Sequence, residues 1–359
     1  MEGFPGFGPY CACSFGATGR AAGQKGSATR MKAWAFSLVL LALALLLPMA
    51  FGFSGYVLYL LGQVGINALA ALGLNLLMGL AGQVSLGHAG FVAIGAYVSV
   101  LLEIRAGFSF IPSLLVALFA CGLLGVIIGL PALRLSGFYL AIVTMAFGLV
   151  TTQVITNLDW LTGGPHGIRN IPWPQIGFLT VQSDLAMYFL ILAFLLLGLW
   201  AYRNIRQSRT GRAFQALRDN ELSAQAFGIP VARYKLIAFV CSAVYAGLSG
   251  VLYAHQVRYI HPNDFSLFLS LGYMAMIVIG GLGFASGALV GSFVFTLLPY
   301  FLTRMAWLTW VIQGFAIVFI LRLAPFGLVG AWNVLKLRLQ RPDSALMRLV
   351  SKARSVRKG

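Results

Sequence analysis

The feature that most constrains this chain is the recurrence of apolar stretches about 20 residues long, separated by short polar connections. A helix rises about 1.5 Å per residue, so such a stretch crosses a hydrocarbon layer about 30 Å thick. On that measure the chain carries about ten spans. They fall near 33–52, 55–79, 86–104, 110–130, 137–157, 184–202, 236–256, 264–281, 284–303 and 305–323. Helices are required, because an unpaired backbone group in lipid is costly and a closed barrel would show strands of alternating polarity instead. The expected fold is therefore all-α, a polytopic transmembrane helical bundle. Composition agrees: 60% hydrophobic and 9% charged residues leave no polar stretch long enough for a soluble domain. Three regions follow, namely an unstructured tail at 1–32, a membrane domain at 33–330 with an internal polar loop at 203–235, and a basic tail at 331–359.

A net charge of +17 in a soluble protein would suggest nucleic acid. Its placement argues otherwise. The basic residues collect in the first tail (Arg20, Lys25, Arg30, Lys32), in the loop from Arg203 to Lys235, and in the last tail from Lys336 to Lys358. An even number of spans puts both tails, Arg134 and that loop on one side of the bilayer. Only Arg105, Arg169, Arg258 and Arg304 fall opposite, so the excess of Lys and Arg makes the termini cytoplasmic. Residues 31–52 begin like a signal peptide, but the stretch is long enough to span and another span follows at once, which argues against cleavage. Met31 is an alternative start. Cys121 and Cys241 lie inside apolar stretches and read as packing residues, whereas Cys11 and Cys13 lie in the first tail; no pair has metal-ligand spacing.

Two connections are long. The external one, 158–183, mixes turn formers with aromatics (Asp159, Trp160, Thr162, Gly163, Gly164, Pro165, His166, Gly167, Trp173, Pro174) and is expected to lie against the outer membrane face. The internal one reads as two short helices. Thr210 can cap the first, through Arg218; Asp219 or Asn220 can cap the second, from Glu221 through Ala224 to Phe227, with Gly228 and Pro230 as stops. A capped, Ala-rich pair of helices held at the membrane edge is suited to docking a partner. The competing view, that Arg203, Arg206, Arg209 and Arg212 only anchor the edge electrostatically, accounts for the charge and not for the caps.

The segment from Gly79 to Phe91 interrupts the apolar pattern with glycines and the polar side chains Gln83, Ser85 and His88. Broken backbone at membrane depth survives only where protein or water satisfies it, and such breaks commonly line a substrate path. Asn75, Gln83, Ser85, Gly87 and His88 are the candidate pathway residues. Against that stands ordinary small-residue helix packing, with His88 as an interhelical hydrogen-bonder. The run Gly280, Gly281, Gly283, Ser286, Gly287 repeats the pattern later and invites the same two interpretations. Ser85 with His88 lacks the elbow and the acid of a serine hydrolase, so no catalytic residue is expected. Glu103, Asp159, Asp184 and Asp264 fall at span ends, so no mid-membrane proton relay or metal site is indicated. No Gly-x-x-x-x-Gly-Lys-Ser/Thr loop occurs, so ATP would be used by a partner and not by this chain.

Three stretches carry a resemblance: Gly73 to Tyr97 (GLNLLMGLAGQVSLGHAGFVAIGAY), Gly137 to Ile168 with its LTGGPHGI end, and Gly211 to His255. Together they resemble the inner-membrane permease family of branched-chain amino-acid ABC importers, the LivH/LivM-like proteins, from about residue 31 to 330. Phe138, Tyr139, Leu140 and the Thr162–Ile168 loop look like the M-type subunit. The resemblance implies a second permease subunit of the H type, two cytoplasmic ATPase subunits, a periplasmic substrate-binding protein and no cofactor bound by this chain. It makes Arg212, Arg218, Asp219, Asn220, Glu221, Ala224 and Gly228 the ATPase-coupling residues. The Glu-Ala-Ala…Gly pattern of importer loops is met only loosely by Glu221, Ala224, Ala226 and Gly228. Permeases of urea or short amides share the type; a membrane-embedded lipid-modifying enzyme would need paired acids, and a scaffold subunit would have no path. Single cysteines placed in 203–235 should react with an impermeant maleimide only from the cytoplasmic face; labelling from outside would reverse the topology.

Overall fold

A computed structural model describes residues 54–133, 135, 137–177, 179–301 and 327–328. The expected spans at 33–52 and 305–323, both tails, Cys11, Cys13, Arg134 and Arg304 lie outside the described residues. The chain falls into two units, Met1–Val57 and Leu58–Gly359. All described elements belong to the second unit except the first residues of its opening helix.

That helix, α1 (Gly55–Leu74), widens into a π turn (Asn75–Leu80) and stops. After a break come α2 (His88–Ala106), α3 (Phe110–Ala132), α4 (Phe138–Asn157) and the single turn α5 (Asp159–Thr162). Strands β1 (Ile168–Arg169), β2 (Gln175–Ile176) and β3 (Leu179–Thr180) precede α6 (Asp184–Gln207). The short α7 (Arg209–Asp219) and α8 (Glu221–Ala226) lead into α9 (Val231–Val257), β4 (Tyr259–Ile260), α10 (Leu267–Gly280) and α11 (Ala285–Phe301). Among the described residues six helices are long and apolar enough to cross a membrane: α1 with its π turn, α2, α3, α4, α6 and α9. The protein is a multi-pass membrane protein.

The last pair departs from expectation. Residues 264–281 and 284–303 read as two full crossings, but α10 and α11 have 14 and 17 residues and meet at a bend of 119°. At 1.5 Å per residue α10 is about 21 Å long, short of a hydrocarbon core of about 30 Å. The bend follows from Gly281 and Gly283, whose φ values of 124° and 81° only glycine adopts without strain. Six crossings plus one bent pair, counted as at most a seventh, therefore replace the expected eight within this stretch. The long connection after α4 is not plain coil either. Positive φ at Gly163, Gly164 and Gly167 turns the chain so that β1 pairs antiparallel with β4, while β2 and β3 form a second two-residue ladder. Arg258 stacks over Trp173 at 4.6 Å, and Arg105 donates to the Trp160 carbonyl at 2.7 Å.

Helix α9 packs most extensively against α2 and α3. Without a hydrophobic drive between helices in lipid, close approach depends on small residues. A Cβ on Gly95 would lie 2.3 Å from the Gly247 carbonyl oxygen, and one on Gly250 would lie 2.0 Å from that of Val92. Cys121 is fully buried where α3 meets α2 and α9, with its thiol 3.5 Å from the Phe91 carbonyl. Cys241 is half-buried, so both are packing residues. Where α2 and α9 end, His255 Nε2 lies 2.9 Å from Glu103 Oε2, with the carboxylate 5% and the ring 0% exposed. The acid expected at a span end is thus buried, and its partner 152 residues away gave no sequence signal. Gly250→Ala should lower the stability of the detergent-solubilised protein by about 2 kcal/mol through backbone displacement. Gly122→Ala, whose Cβ would meet Val244 at an ordinary 3.5 Å, should be neutral or better; thermal unfolding of the two variants measures the contrast.

Candidate functional site

At the end of the helices that carries the basic segment 203–235, both glycine-rich breaks meet. The π turn is the first cause. It leaves the Ala81 and Gln83 amides bonded to the Leu76 and Leu77 carbonyls, and Gly82 at φ 70° then reverses the chain. Single π turns inside α-helices recur at functional sites because they swing side chains out of register. Asn75, fully buried, reaches across to the α10–α11 turn. Its Nδ2 donates to the Phe284 carbonyl at 2.9 Å, and its Oδ1 accepts from the Gly283 amide at 2.7 Å. The turns touch backbone to backbone: a Cβ on Gly79 would lie 2.5 Å from the Gly283 nitrogen.

The orphan amides opening α2 are taken by side chains of other helices. Thr144 Oγ1 on α4 accepts from Leu86 at 3.0 Å, and Ser270 Oγ on α10 accepts from Ala89 at 2.9 Å. Gly87 is pressed against the Thr144 carbonyl, where a Cβ would lie 2.0 Å away. His88 Nε2 sits 2.9 Å from the Ala70 carbonyl, and its ring meets Tyr273 edge-on at 5.7 Å. Gly87 and His88 are therefore fully engaged in helix packing. Ser85 is buried. Gln83 is 7% exposed, and its Nε2 makes no hydrogen bond among the described residues. Of the five candidate pathway residues, Gln83 carries a buried amide nitrogen without a partner among the described residues, whereas the Asn75 amide is taken up by the second break.

The internal loop folds as two capped helices, with one correction. Helix α7 begins at Arg209, so Ser208 and not Thr210 is its cap: Ser208 Oγ accepts from the Gly211 amide at 3.2 Å. Ala213, Phe214 and Leu217 face inward, with Phe214 edge-on to Tyr234 at 6.3 Å. Asn220 caps α8, its Oδ1 accepting from Ser223 at 2.8 Å. Gly228 at φ 77° ends it in a Schellman motif, with Gly228 N–H on the Gln225 carbonyl and Ile229 N–H on that of Ala224. Between these ends Leu222 and Phe227 are 77% and 87% exposed, a heavy apolar exposure for a six-residue helix. Beside them opens a cavity of about 520 Å³ lined by Leu133, Glu221, Gln225, Gly228, Ile229 and Pro230.

The seven coupling candidates separate. Glu221 turns inward to Lys235 of α9, 2.5 Å from its Nζ, and Ala224 is buried. Arg212 bonds the Gln207 carbonyl at 3.3 Å, while Asp219 and Asn220 remain exposed. Arg218 reaches back into the membrane unit and donates through Nη1 to the Gly79 carbonyl. Arg206, which read as one of several edge charges, stacks over Phe284 at 5.4 Å. Gly283, Phe284 and Arg206 were thus missing from the candidate set; the later glycine run and the row of edge charges were their traces in the sequence.

Two broken helices thus meet a capped, basic pair of short helices at one end of the membrane unit, and broken helices of this kind are typical of transport proteins. The chain belongs to the family of branched-chain amino acid transport system permease components, which it matches over residues 56–321. It is similar to the high-affinity branched-chain amino acid transport system permease protein LivM of Salmonella typhimurium, 32% identical over 212 residues, or 53% of this chain and 50% of that one. LivM of Escherichia coli is 33% identical with the same coverage. The autoinducer 2 import system permease protein LsrC of an Enterobacter strain is 26% identical over 58% of each chain. The chain thus spans about half the length of the LivM proteins it matches. No solved structure matches it significantly.

Loss of the α8 cap should be local. Asn220→Ala should speed amide exchange across Glu221–Ala226 about five-fold, matching about 1 kcal/mol, and Asn220→Asp should not; hydrogen-exchange mass spectrometry reads both.

Proposed function

We propose that this chain is the M-type permease subunit of an ABC importer that carries branched-chain amino acids across the bacterial inner membrane. It works with an H-type permease, two cytoplasmic ATPase subunits and a periplasmic binding protein. The observation that carries this is the α7–α8 pair, capped at both ends, exposing Leu222 and Phe227 outward while Arg218 reaches the broken helix inward. A segment that faces a partner on one side and a helix break on the other is what external driving requires. The family and the LivM relatives support the substrate class.

Topology fits this function. We infer cytoplasmic termini, on the side of the basic segment, from the placement of the Lys and Arg residues. In the proposed cycle the binding protein delivers substrate to the 158–183 face, ATP closes the ATPase pair, and differential affinity of outward and inward states supplies direction. Gln83, whose amide nitrogen has no partner among the described residues, lines the path at its cytoplasmic end, beside the Asn75 bridge. The LsrC relatives, named for autoinducer 2 import, make a different small polar solute the second possibility.

Reconstituted vesicles test the proposal. With all partner subunits present, ATP-dependent leucine uptake should exceed uptake of urea or of autoinducer 2. Leu222→Asp and Phe227→Asp alter exposed side chains and leave the internal packing alone, so the variants should fold, lose ATPase subunits on purification and drop uptake at least ten-fold. Glu221→Arg, which also breaks the Lys235 contact, and deletion of Ala213–Gly228 should do the same. Normal uptake with normal ATPase recruitment in these variants refutes the coupling role.

A further inference from the structure

Arg218 stands where three glycines converge. Its Nη1 bonds the Gly79 carbonyl, a Cβ on Gly82 would meet its Cα at 3.1 Å, and a Cβ on Gly283 would meet its Nη1 at 3.0 Å. Gly79 lies in the last turn of the first broken helix, where unpaired carbonyls and the helix dipole favour a cation. A guanidinium donating there makes a charge-assisted bond, stronger than a neutral one. The same guanidinium touches Gly283 of the second break, which Asn75 already joins to the first. Arg206 holds the neighbouring Phe284 from the other side. The two turns also meet through backbone, a Cβ on Gly79 lying 2.5 Å from the Gly283 nitrogen, so a shift of either turn disturbs the other and the Arg218 contacts with both.

We propose that Arg218 is a positioning residue, a latch that ties the α7–α8 segment to both glycine breaks and holds them closed against each other until that segment is displaced. This rests on the permease reading and extends it: the coupling segment acts on the path through one side chain and two backbone turns. Displacing α7 by little more than the reach of a hydrogen bond would release Gly79, and the Asn75 bridge would carry the release to Gly283 and Phe284. Arg218 need not touch substrate. Arg206 and Asn75 act as its supports.

Two readouts on the full chain decide this. In the solubilised protein, Arg218→Gln should raise amide exchange at least ten-fold in both 79–87 and 281–284 while α2 and α9 stay unchanged, and Arg218→Lys should be intermediate. Asn75→Ala should loosen both turns with α7 and α8 unaffected. In vesicles containing the whole transporter and preloaded with radiolabelled leucine, Arg218→Gln should raise ATP-free leucine efflux at least five-fold without raising sucrose efflux, with the ATPase subunits still attached. Unchanged exchange, or loosening confined to 79–87, overturns the latch. Loosened turns without a leak, in vesicles whose wild-type counterpart takes up leucine, overturn its gating role, as does loss of ATPase attachment with no leak. If the wild type takes up no leucine, the permease reading fails for that substrate, and the exchange data still decide whether Arg218 couples the two breaks.

Discussion

Every backbone group placed in hydrocarbon must find a partner within the protein, and the rest of this structure follows from how its broken helices meet that demand. Between α1 and α2 the regular ladder is suspended. Thr144 and Ser270 take two amides at the start of α2, Arg218 takes a carbonyl at the end of the π turn, and Asn75 takes one donor and one acceptor from the second break. Each partner comes from a different element. The break is therefore a junction on which α1, α4, α7, α10 and α11 converge, and its geometry cannot change at one element alone.

The same demand separates the two ends of the unit. At the end opposite the basic segment, the chain after α4 forms short ladders held by Arg169, Arg258 and their aromatic neighbours, and a buried carboxyl group lies within hydrogen-bond distance of His255. At the basic end the cations serve two purposes that composition alone merges. Some, such as Arg209 and Arg212, lie near the segment's outer surface, where an edge charge contributes about 1 kcal/mol toward an anionic leaflet. Arg206 and Arg218 instead contact the breaks, Arg206 over the Phe284 ring and Arg218 at the Gly79 carbonyl. Glu221 likewise ties α8 to α9 through Lys235, so the outward face of the segment is left to the apolar Leu222 and Phe227.

Much was legible in the chain itself. Apolar length determined six crossings to within a few residues, because hydrocarbon thickness sets helix length and few competing forces act on it. The capping of α8 by Asn220 and its stop at Gly228 were readable because caps are local chemistry between residues three or four apart. The first cap slipped from Thr210 to Ser208 because both residues can accept, and only the exit angle of α6 decides which amide is presented.

What the tertiary structure alone decided involves residues far apart in the chain. The sequence placed Asn75 and Gly79 in one proposal, Arg218 in another and Gly283 in a possible repeat; packing brought all four together. Two apolar stretches that passed the length test became a bent pair, because glycine permits the turn but the backbone of α11 against α10 is what selects it. Glu103 and His255 found each other across 152 residues by the burial that α2 and α9 impose. Local periodicity encodes which segments become helices; which polar group meets which is settled only when those helices exclude water and each unpaired group must take the partner within reach.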